Sequence, residues 1–272
     1  MAAAPPELEH LVLTFEGGVA RVTLDRPQVR NAMSFAMVDE LVAALRWAEE
    51  AGARVLVLRG AGGHFCAGGD LKDMASTRGP APKDGEADPA AVGNARFGHL
   101  ALVYRRAAMP TVAVLEGAVM GGGFGLACTV DVALAGPTAR FGLPETGLGL
   151  VPAQIAPFLV DRLGRSEAKR LAVTGARIDA AEALRIGLVH GLAETAEGVD
   201  ALVDRTIGQI LRAAPEANRV TKQLFEEATL TEAYVEGAAK KFAAATRGAE
   251  GMEGVMAFIE KRRPSWAPAK EE

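Results

Sequence analysis

The chain has 272 residues, 49% hydrophobic and 24% charged, enough apolar surface for a core that needs neither disulfides nor a structural metal. Its 30 Lys and Arg against 34 Asp and Glu leave a net charge of −4, which argues against an electrostatically driven nucleic-acid binder. Two cysteines, Cys66 and Cys128, exclude a disulfide framework by count and predict a reduced, cytoplasmic chain. The Ala/Pro-rich start lacks the basic-then-apolar pattern of a secretory leader, and no run approaches the roughly 18 apolar residues of a membrane span. His10, His64, His99 and His190 are scattered, with no HExxH or CxxC, and GxxxxGK[ST], GxSxG and GxGxxG are all missing. Zinc, P-loop, serine-hydrolase and nicotinamide chemistries therefore lose their best sequence signatures.

In chain order, Leu11 to Phe15 and Val19 to Leu24 predict two strands around the turn Glu16-Gly17-Gly18. Ser34 predicts an N-cap for a helix to about Ala51, with Met37, Val38, Leu41, Val42, Leu45 and Ala48 at helical spacing. Arg54 to Arg59 is a short buried strand, and Ser76 to Gly93 turns to Pro, Gly, Ala and charge, the composition of a surface loop. A helix to about Ala108, a strand Thr111 to Glu116, a glycine-rich turn at Gly121 and a strand Val130 to Ala135 complete the alternation. Strands alternating with helices predict an α/β core with a largely parallel sheet. After Gly164 only helical segments are predicted: Ser166–Val173, Ala180–Leu184, Ala196–Leu211, Pro215–Ala228, Glu232–Ala245 and Gly251–Lys261. Residues 1–195 are thus read as the catalytic α/β core and 196–272 as a helical C-terminal region.

Two segments, Phe65-Cys66-Ala67-Gly68-Gly69-Asp70-Leu71 and Val119-Met120-Gly121-Gly122-Gly123-Phe124-Gly125-Leu126, each follow a strand and precede a helix. The first N–H groups of a helix lack internal partners, and glycines let a ligand approach them without a Cβ in the way. Two such turns converging on one oxygen would make an oxyanion hole. Either turn alone reads equally well as tight packing. A third segment, Ala139 to Leu150, sets one carboxylate, Glu145, among apolar residues. Desolvation there would raise its pKa toward neutral and suit it to proton transfer, the alternative being a surface Glu that caps the next helix.

These three segments in this order resemble the enoyl-CoA hydratase/isomerase (crotonase) superfamily. The opening Leu24-Asp25-Arg26-Pro27-Gln28-Val29-Arg30-Asn31-Ala32 is similar to its first motif, Thr174-Gly175 to Val189 to its TG…A…A…GLV stretch, and Phe258-Ile259-Glu260-Lys261-Arg262 to its C-terminal helix. Within the superfamily, GHFCAGGDLKDM, GGGFGLAC and FGLPETGLGLVPAQIAPF most resemble the isohexenylglutaconyl-CoA hydratases of acyclic terpene catabolism.

The resemblance implies a crotonase-like α/β fold of repeated ββα units, a helical trimerisation region and an acyl-CoA thioester in an extended cleft. It implies no separate cofactor, coenzyme A being part of the substrate, and a homotrimer or dimer of trimers. Backbone N–H groups of Gly69 and Gly122 would hold the thioester oxygen as an enolate forms, with Glu145 as acid/base. Ala67, Asp70, Leu71 and Lys72 would line the adenine and pantetheine path, with Val29 and Arg30 on its other edge. Phe242, Phe258 and Lys261 match positions that close the coenzyme A site, often from a neighbouring subunit, though Lys261-Arg262-Arg263 also reads as a solvated basic face.

One departure matters. The usual hydratase has a second Glu three residues beyond the middle glycine, and that position here is Gly125; the extra acid of dienoyl-CoA isomerases falls on Ala153. A single Glu suits a 1,3-proton shift, and suits hydration if another polar group helps to hold water. Gln154 is the nearest candidate, its alternative being a surface residue at a helix start. Space vacated at Gly125 is expected to admit a bulky or carboxylated β-substituent.

Overall fold

A computed structural model describes residues 4–77, 83, 86–228, 237, 240, 242, 244–246 and 248–268. The predicted hairpin forms as β1 (Leu11–Glu16) and β2 (Val19–Leu24), paired antiparallel. Ser34 caps α1 (Phe35–Glu50), its hydroxyl accepting from the Met37 N–H at 3.2 Å, and the apolar face of that helix is buried. Then come β3 (Val55–Gly60), α2 (Leu71–Ser76), α3 (Pro89–Arg105), β4 (Thr111–Leu115), β5 (Ala118–Met120), α4 (Gly122–Thr129), β6 (Val132–Ala135) and β7 (Arg140–Gly142). The chain continues through α5 (Ala156–Thr174), β8 (Arg177–Asp179), α6 (Ala180–Arg185), β9 (Gly191–Leu192), α7 (Gly198–Leu211), α8 (Pro215–Glu226) and α9 (Ala249–Ile259).

The main sheet has the order β1-β2-β3-β4-β6-β9, parallel from β2 onward. A second sheet, β5-β7-β8, lies beside it. Two strands followed by a helix recur as β1-β2-α1, β4-β5-α4 and β6-β7-α5, the ββα repeat that the resemblance implies. Parallel strands covered on both faces read as continuous apolar runs, and β3 and β4 are buried along nearly their whole length. One face packs on α1, α3 and α4; the other is covered by α7, whose Val199, Val203, Ile207 and Leu211 meet Val55, Val57, Val112 and Val114.

Three expectations need correction. The stretch after Gly164 is not purely helical: β8 extends the second sheet and β9 adds the last strand of the main one. Both are two or three residues long, too short to show an alternating pattern in sequence. Helix α5 begins at Ala156, because Pro157 suits a first turn, and Gly164 (φ +73°) interrupts it rather than preceding it. Helix α3 begins at Pro89, inside the expected loop, where the Asp88 carboxylate accepts from the Ala90 N–H at 2.8 Å. Most of the predicted Glu232–Ala245 helix lies outside the described residues.

The last helices gather at the end of the sheet where the parallel strands begin. Arg54, just before β3, donates to the carbonyls of Leu211, Ala213 and Trp266, and Lys222 of α8 reaches Asp131 and the Met109 carbonyl. Both glycine turns lie at the opposite end, beyond the carboxyl ends of β3 and β4. Open parallel sheets bind ligands at that edge.

Candidate active site

The chain leaving β3 enters the second layer at Phe65-Cys66, next to β5. The Phe65 N–H donates to the Glu116 carbonyl at 2.8 Å, Cys66 N–H to Ala118 at 2.9 Å, and Met120 N–H to Cys66 at 2.9 Å. This short ladder sets the Gly68-Gly69 turn against Met120-Gly121. A Cβ on Gly68 would stand 3.3 Å from the Met120 carbonyl oxygen, and Gly68 has φ +107°. Only glycine fits such an approach.

Two N–H groups are left over by these pairings. On either side of Gly69, the Met33 N–H donates to the Gly68 carbonyl at 2.8 Å and the Asp70 N–H to the Met33 carbonyl at 2.9 Å, so the Gly69 N–H is turned out of the bridge. Gly121 N–H is taken by the Gly142 carbonyl at 3.0 Å, while Gly122 is the first residue of α4, where an N–H has no intrahelical acceptor. Neither N–H has an acceptor among the described residues. Gly68, Gly121 and Gly123 are buried, whereas Gly69 is exposed and Gly122 half-buried. The two free donors belong to the two glycines that face the opening.

Glu145 faces the same corner. It follows β7 and a Pro, and a Cβ on Gly121 would lie 3.0 Å from its Oε1 and 3.9 Å from the Gly68 Cα. Its Oε2 is buried without a hydrogen-bond partner. Burial therefore holds the carboxyl above the ordinary Glu range, against a smaller opposing hydrogen bond from its own backbone. Glu145 is not a helix cap: its side chain makes no cap bond to the turn Thr146–Leu148. An unsatisfied, partly protonatable carboxylate beside two free N–H donors can move a proton while a neighbouring oxygen gains charge.

Positioning of the first turn comes from the opening motif. Arg26 Nη2 pairs with Asp70 Oδ2 at 2.9 Å, and its Nη1 donates to the Ala32 carbonyl at 2.6 Å. Asp70 Oδ1 accepts from the Lys72 N–H at 2.9 Å and caps α2. Burial alone would raise the Asp70 pKa, but the Arg26 guanidinium and the Lys72 N–H hold it below the usual carboxylate range. Asn31 is fully buried at φ +56°; its Oδ1 accepts from Arg26 N–H at 2.9 Å and its Nδ2 donates to the carbonyls of Ala61 (2.9 Å) and His64 (2.6 Å). The Ala67 N–H donates to the Arg30 carbonyl at 2.9 Å, so Val29 and Arg30 border this turn. Asn31 and Arg26 were inside the quoted motif without a role; the signal was two polar residues flanking a proline turn.

Val29, Arg30, Leu71 and Lys72 are exposed, Ala67 is half-buried, and all five surround the turn that carries Gly69. Phe242, Phe258 and Lys261 are exposed, and Trp266, which follows them, is held by Arg54 just before β3 and by the Arg212 carbonyl. Cys66 and Cys128 are buried free thiols pushed up to about 12, chiefly by desolvation, and are inert at neutral pH. No group of three His, Cys, Asp or Glu able to hold a metal occurs among the described residues.

The expected space at Gly125 is not there. A Cβ on Gly125 would come within 2.8 Å of the Ile155 Cβ, and nearer still to its Cγ2; the volume is filled by a side chain only 4% exposed. Phe97 Cζ lies 3.6 Å from the same point. Gln154 turns to α3, its Cδ 2.8 Å from where a Cβ on Gly98 would sit, and is half-buried rather than a free surface residue. Ile155 stood in the sequence as one apolar residue among several, with no pattern to pair it with Gly125.

The family model for enoyl-CoA hydratase/isomerase matches residues 14–269. A solved enoyl-CoA hydratase/isomerase from Marinobacter aquaeolei is 48% identical, superposes with a TM-score of 0.91, and is covered over 95% of this chain and 99% of its own. Pseudomonas aeruginosa AtuE is 50% identical with a TM-score of 0.90, covering 96% and 100% of the two chains. Mevalonyl-coenzyme A hydratase of Aspergillus fumigatus is 32% identical over 255 residues, 92% of this chain and 91% of that protein.

Proposed function

This chain belongs to the enoyl-CoA hydratase/isomerase family and is an enoyl-CoA hydratase-like enzyme of acyl-CoA thioesters; from that premise we propose that it adds water across a 2,3-double bond with Glu145 as its single acid/base. The Glu145 carboxylate takes a proton from water as the water oxygen bonds to C3. The π electrons move through C2 to the thioester oxygen, where the Gly69 and Gly122 N–H groups hold the enolate charge. The protonated Glu145 then returns its proton to C2, and the carboxylate is restored. Removing one donor from such a hole costs other enzymes about 3–4 kcal/mol of transition-state stabilisation, so the two glycines carry much of the rate.

The observation that carries this reading is the buried, unpartnered Oε2 of Glu145 beside the two glycines whose N–H groups have no acceptor among the described residues. Ala67, Leu71, Lys72, Val29 and Arg30 would border the coenzyme A path, while the capped and ion-paired Asp70 holds that edge in place. A branched, glutaconyl-type substrate of terpene catabolism enters this proposal from the sequence resemblance alone, since Ile155 fills the space beside Gly125 that such a group was expected to use. Phe225, Phe242, Phe258 and Ile259 each expose 63–86% of their surface, apolar area that a homotrimer or dimer of trimers would cover while bringing Phe242, Phe258 and Lys261 to a neighbour's site. No described helix is long and apolar enough to cross a membrane, and the free thiols suit the cytoplasm.

A second reading, Δ3,Δ2-enoyl-CoA isomerisation, is favoured by the same single carboxylate, since one base can remove and return a proton. A panel of short, long, branched and carboxylated 2-enoyl-CoAs, followed by loss of enoyl absorbance, tests the first reading. Conversion of 3-enoyl-CoA without hydration of any 2-enoyl-CoA would replace it with the second. Binding with neither reaction would leave a catalytically weak acyl-CoA-binding homologue.

A further inference from the structure

Phe97 of α3 lies along the face of α4 that carries the proposed oxyanion donor. Its Cε2 is 3.3 Å from the point that a Cβ on Gly122 would occupy, and its Cζ is 3.6 Å from the same point on Gly125. Residues three apart on a helix are neighbours, so one ring edge spans both glycines. Ile155 backs the ring in the groove that Gly125 leaves, and Met33 Cε, 3.0 Å from the Gly122 point, closes the other side. Ile155 and Met33 are buried, whereas Phe97 is half-buried and keeps part of its ring open. Gln154 lies over Gly98 of α3 while Ile155 fills the Gly125 position of α4, so consecutive residues of this segment touch both helices.

A thioester oxygen held by the Gly122 N–H would sit about 2.9 Å from that nitrogen, and the Phe97 ring edge, 3.3 Å from the Gly122 Cβ point, is hydrocarbon beside the same donor. The ring does not ionise and does not hold water, so its effect there is one of shape. We propose that Phe97, seated on Ile155 across Gly122 and Gly125, is the specificity-determining residue of the acyl pocket and sets the largest substituent that C3 can carry. This rests on the hydratase reading, because it takes the Gly122 N–H as the thioester anchor. It also gives Gly125 a purpose: any side chain there would expel Ile155 and unseat the ring.

The test compares crotonyl-CoA with 3-methylcrotonyl-CoA as substrates, and butyryl-CoA with 3-methylbutyryl-CoA as calorimetric ligands. Wild type, Phe97→Ala and Ile155→Ala are measured, with thermal unfolding of each variant. Phe97→Ala should shift the kcat/KM ratio and the affinity ratio toward the branched acyl group by at least about tenfold, the scale of one added methylene in a fitted pocket. Ile155→Ala should shift both in the same direction by less, since it removes the support and leaves the ring. Ratios within twofold of wild type in a folded Phe97→Ala protein would overturn the assignment. If the wild type hydrates no enoyl-CoA, the hydratase reading fails, and the two saturated thioesters still decide the pocket: a tenfold shift in affinity upholds Phe97 and no shift removes it. Should Phe97→Ala not fold, Phe97→Leu, which keeps apolar packing and deletes the ring, is judged by the same ratios.

Discussion

Replacing Gly125 by Ala should destabilise the protein, although the same change inside most helices does the opposite. Gly125 lies within α4, where Ala is ordinarily favoured over Gly by about 1 kcal/mol. Here the new methyl would meet the Ile155 Cβ at 2.8 Å, where apolar carbons normally rest about 3.5–4.0 Å apart. Ile155 is 4% exposed and has no open side to move into. Overpacking a filled core typically costs about 1–3 kcal/mol, and an overlap this deep belongs at the upper end. After the helix gain is subtracted, about 1–2 kcal/mol of net loss remains, read from the midpoint and slope of urea unfolding. In an Ile155→Gly background both clashing carbons are gone, and Gly125→Ala should become neutral or stabilising by up to about 1 kcal/mol. A Gly125→Ala protein as stable as wild type, with Ile155 intact, would refute the packing described for this pair.

Gly122→Pro removes the N–H at a first-turn position where proline is tolerated, so a folded protein should result with kcat down about 100-fold or more, checked by steady-state kinetics beside circular dichroism. Asp70→Ala should cost about 0.5–2 kcal/mol from the α2 cap alone, and more from stranding Arg26. Because the folded Asp70 pKa is depressed, that difference is complete above the ordinary carboxylate range and shrinks as pH falls through the folded value; urea titrations from pH 7 to pH 3 would show it. Light scattering at micromolar concentration should give a trimer or a multiple of it, and a monomer would leave the exposed phenylalanines of α8 and α9 without a partner.

The alternation of strand and helix, the Ser34 cap and both glycine turns were legible because each depends on residues close in sequence. Short strands such as β8 and β9 were not, since pairing with distant chain, rather than local propensity, makes them strands. Glu145 was legible as a carboxylate among apolar residues, and its orphaned oxygen explains in physical terms why that setting matters. The meaning of Gly125 was misread from sequence for a definite reason. A missing side chain looks like empty space until the residue thirty positions away that fills it is in view, and close packing leaves few such voids. Asn31 likewise shows its bridging role only when the carbonyls of Ala61 and His64 are brought to its amide.

Glu145→Gln keeps the volume of the side chain and deletes the proton transfer, so it tests the acid/base role most directly. Its hydration rate should fall by at least about 100-fold, within the range that general acid–base catalysis supplies, while saturated acyl-CoA affinity stays close to wild type. Its stability should also respond with a set sign. A folded carboxyl raised above its unfolded value lowers stability as pH climbs through that elevated range, so the neutral Gln variant should be at least as stable as wild type at pH 7. An inactive, well-folded variant that still binds the thioester is the predicted result; turnover within a few-fold of wild type would contradict the assignment of Glu145 as the acid/base.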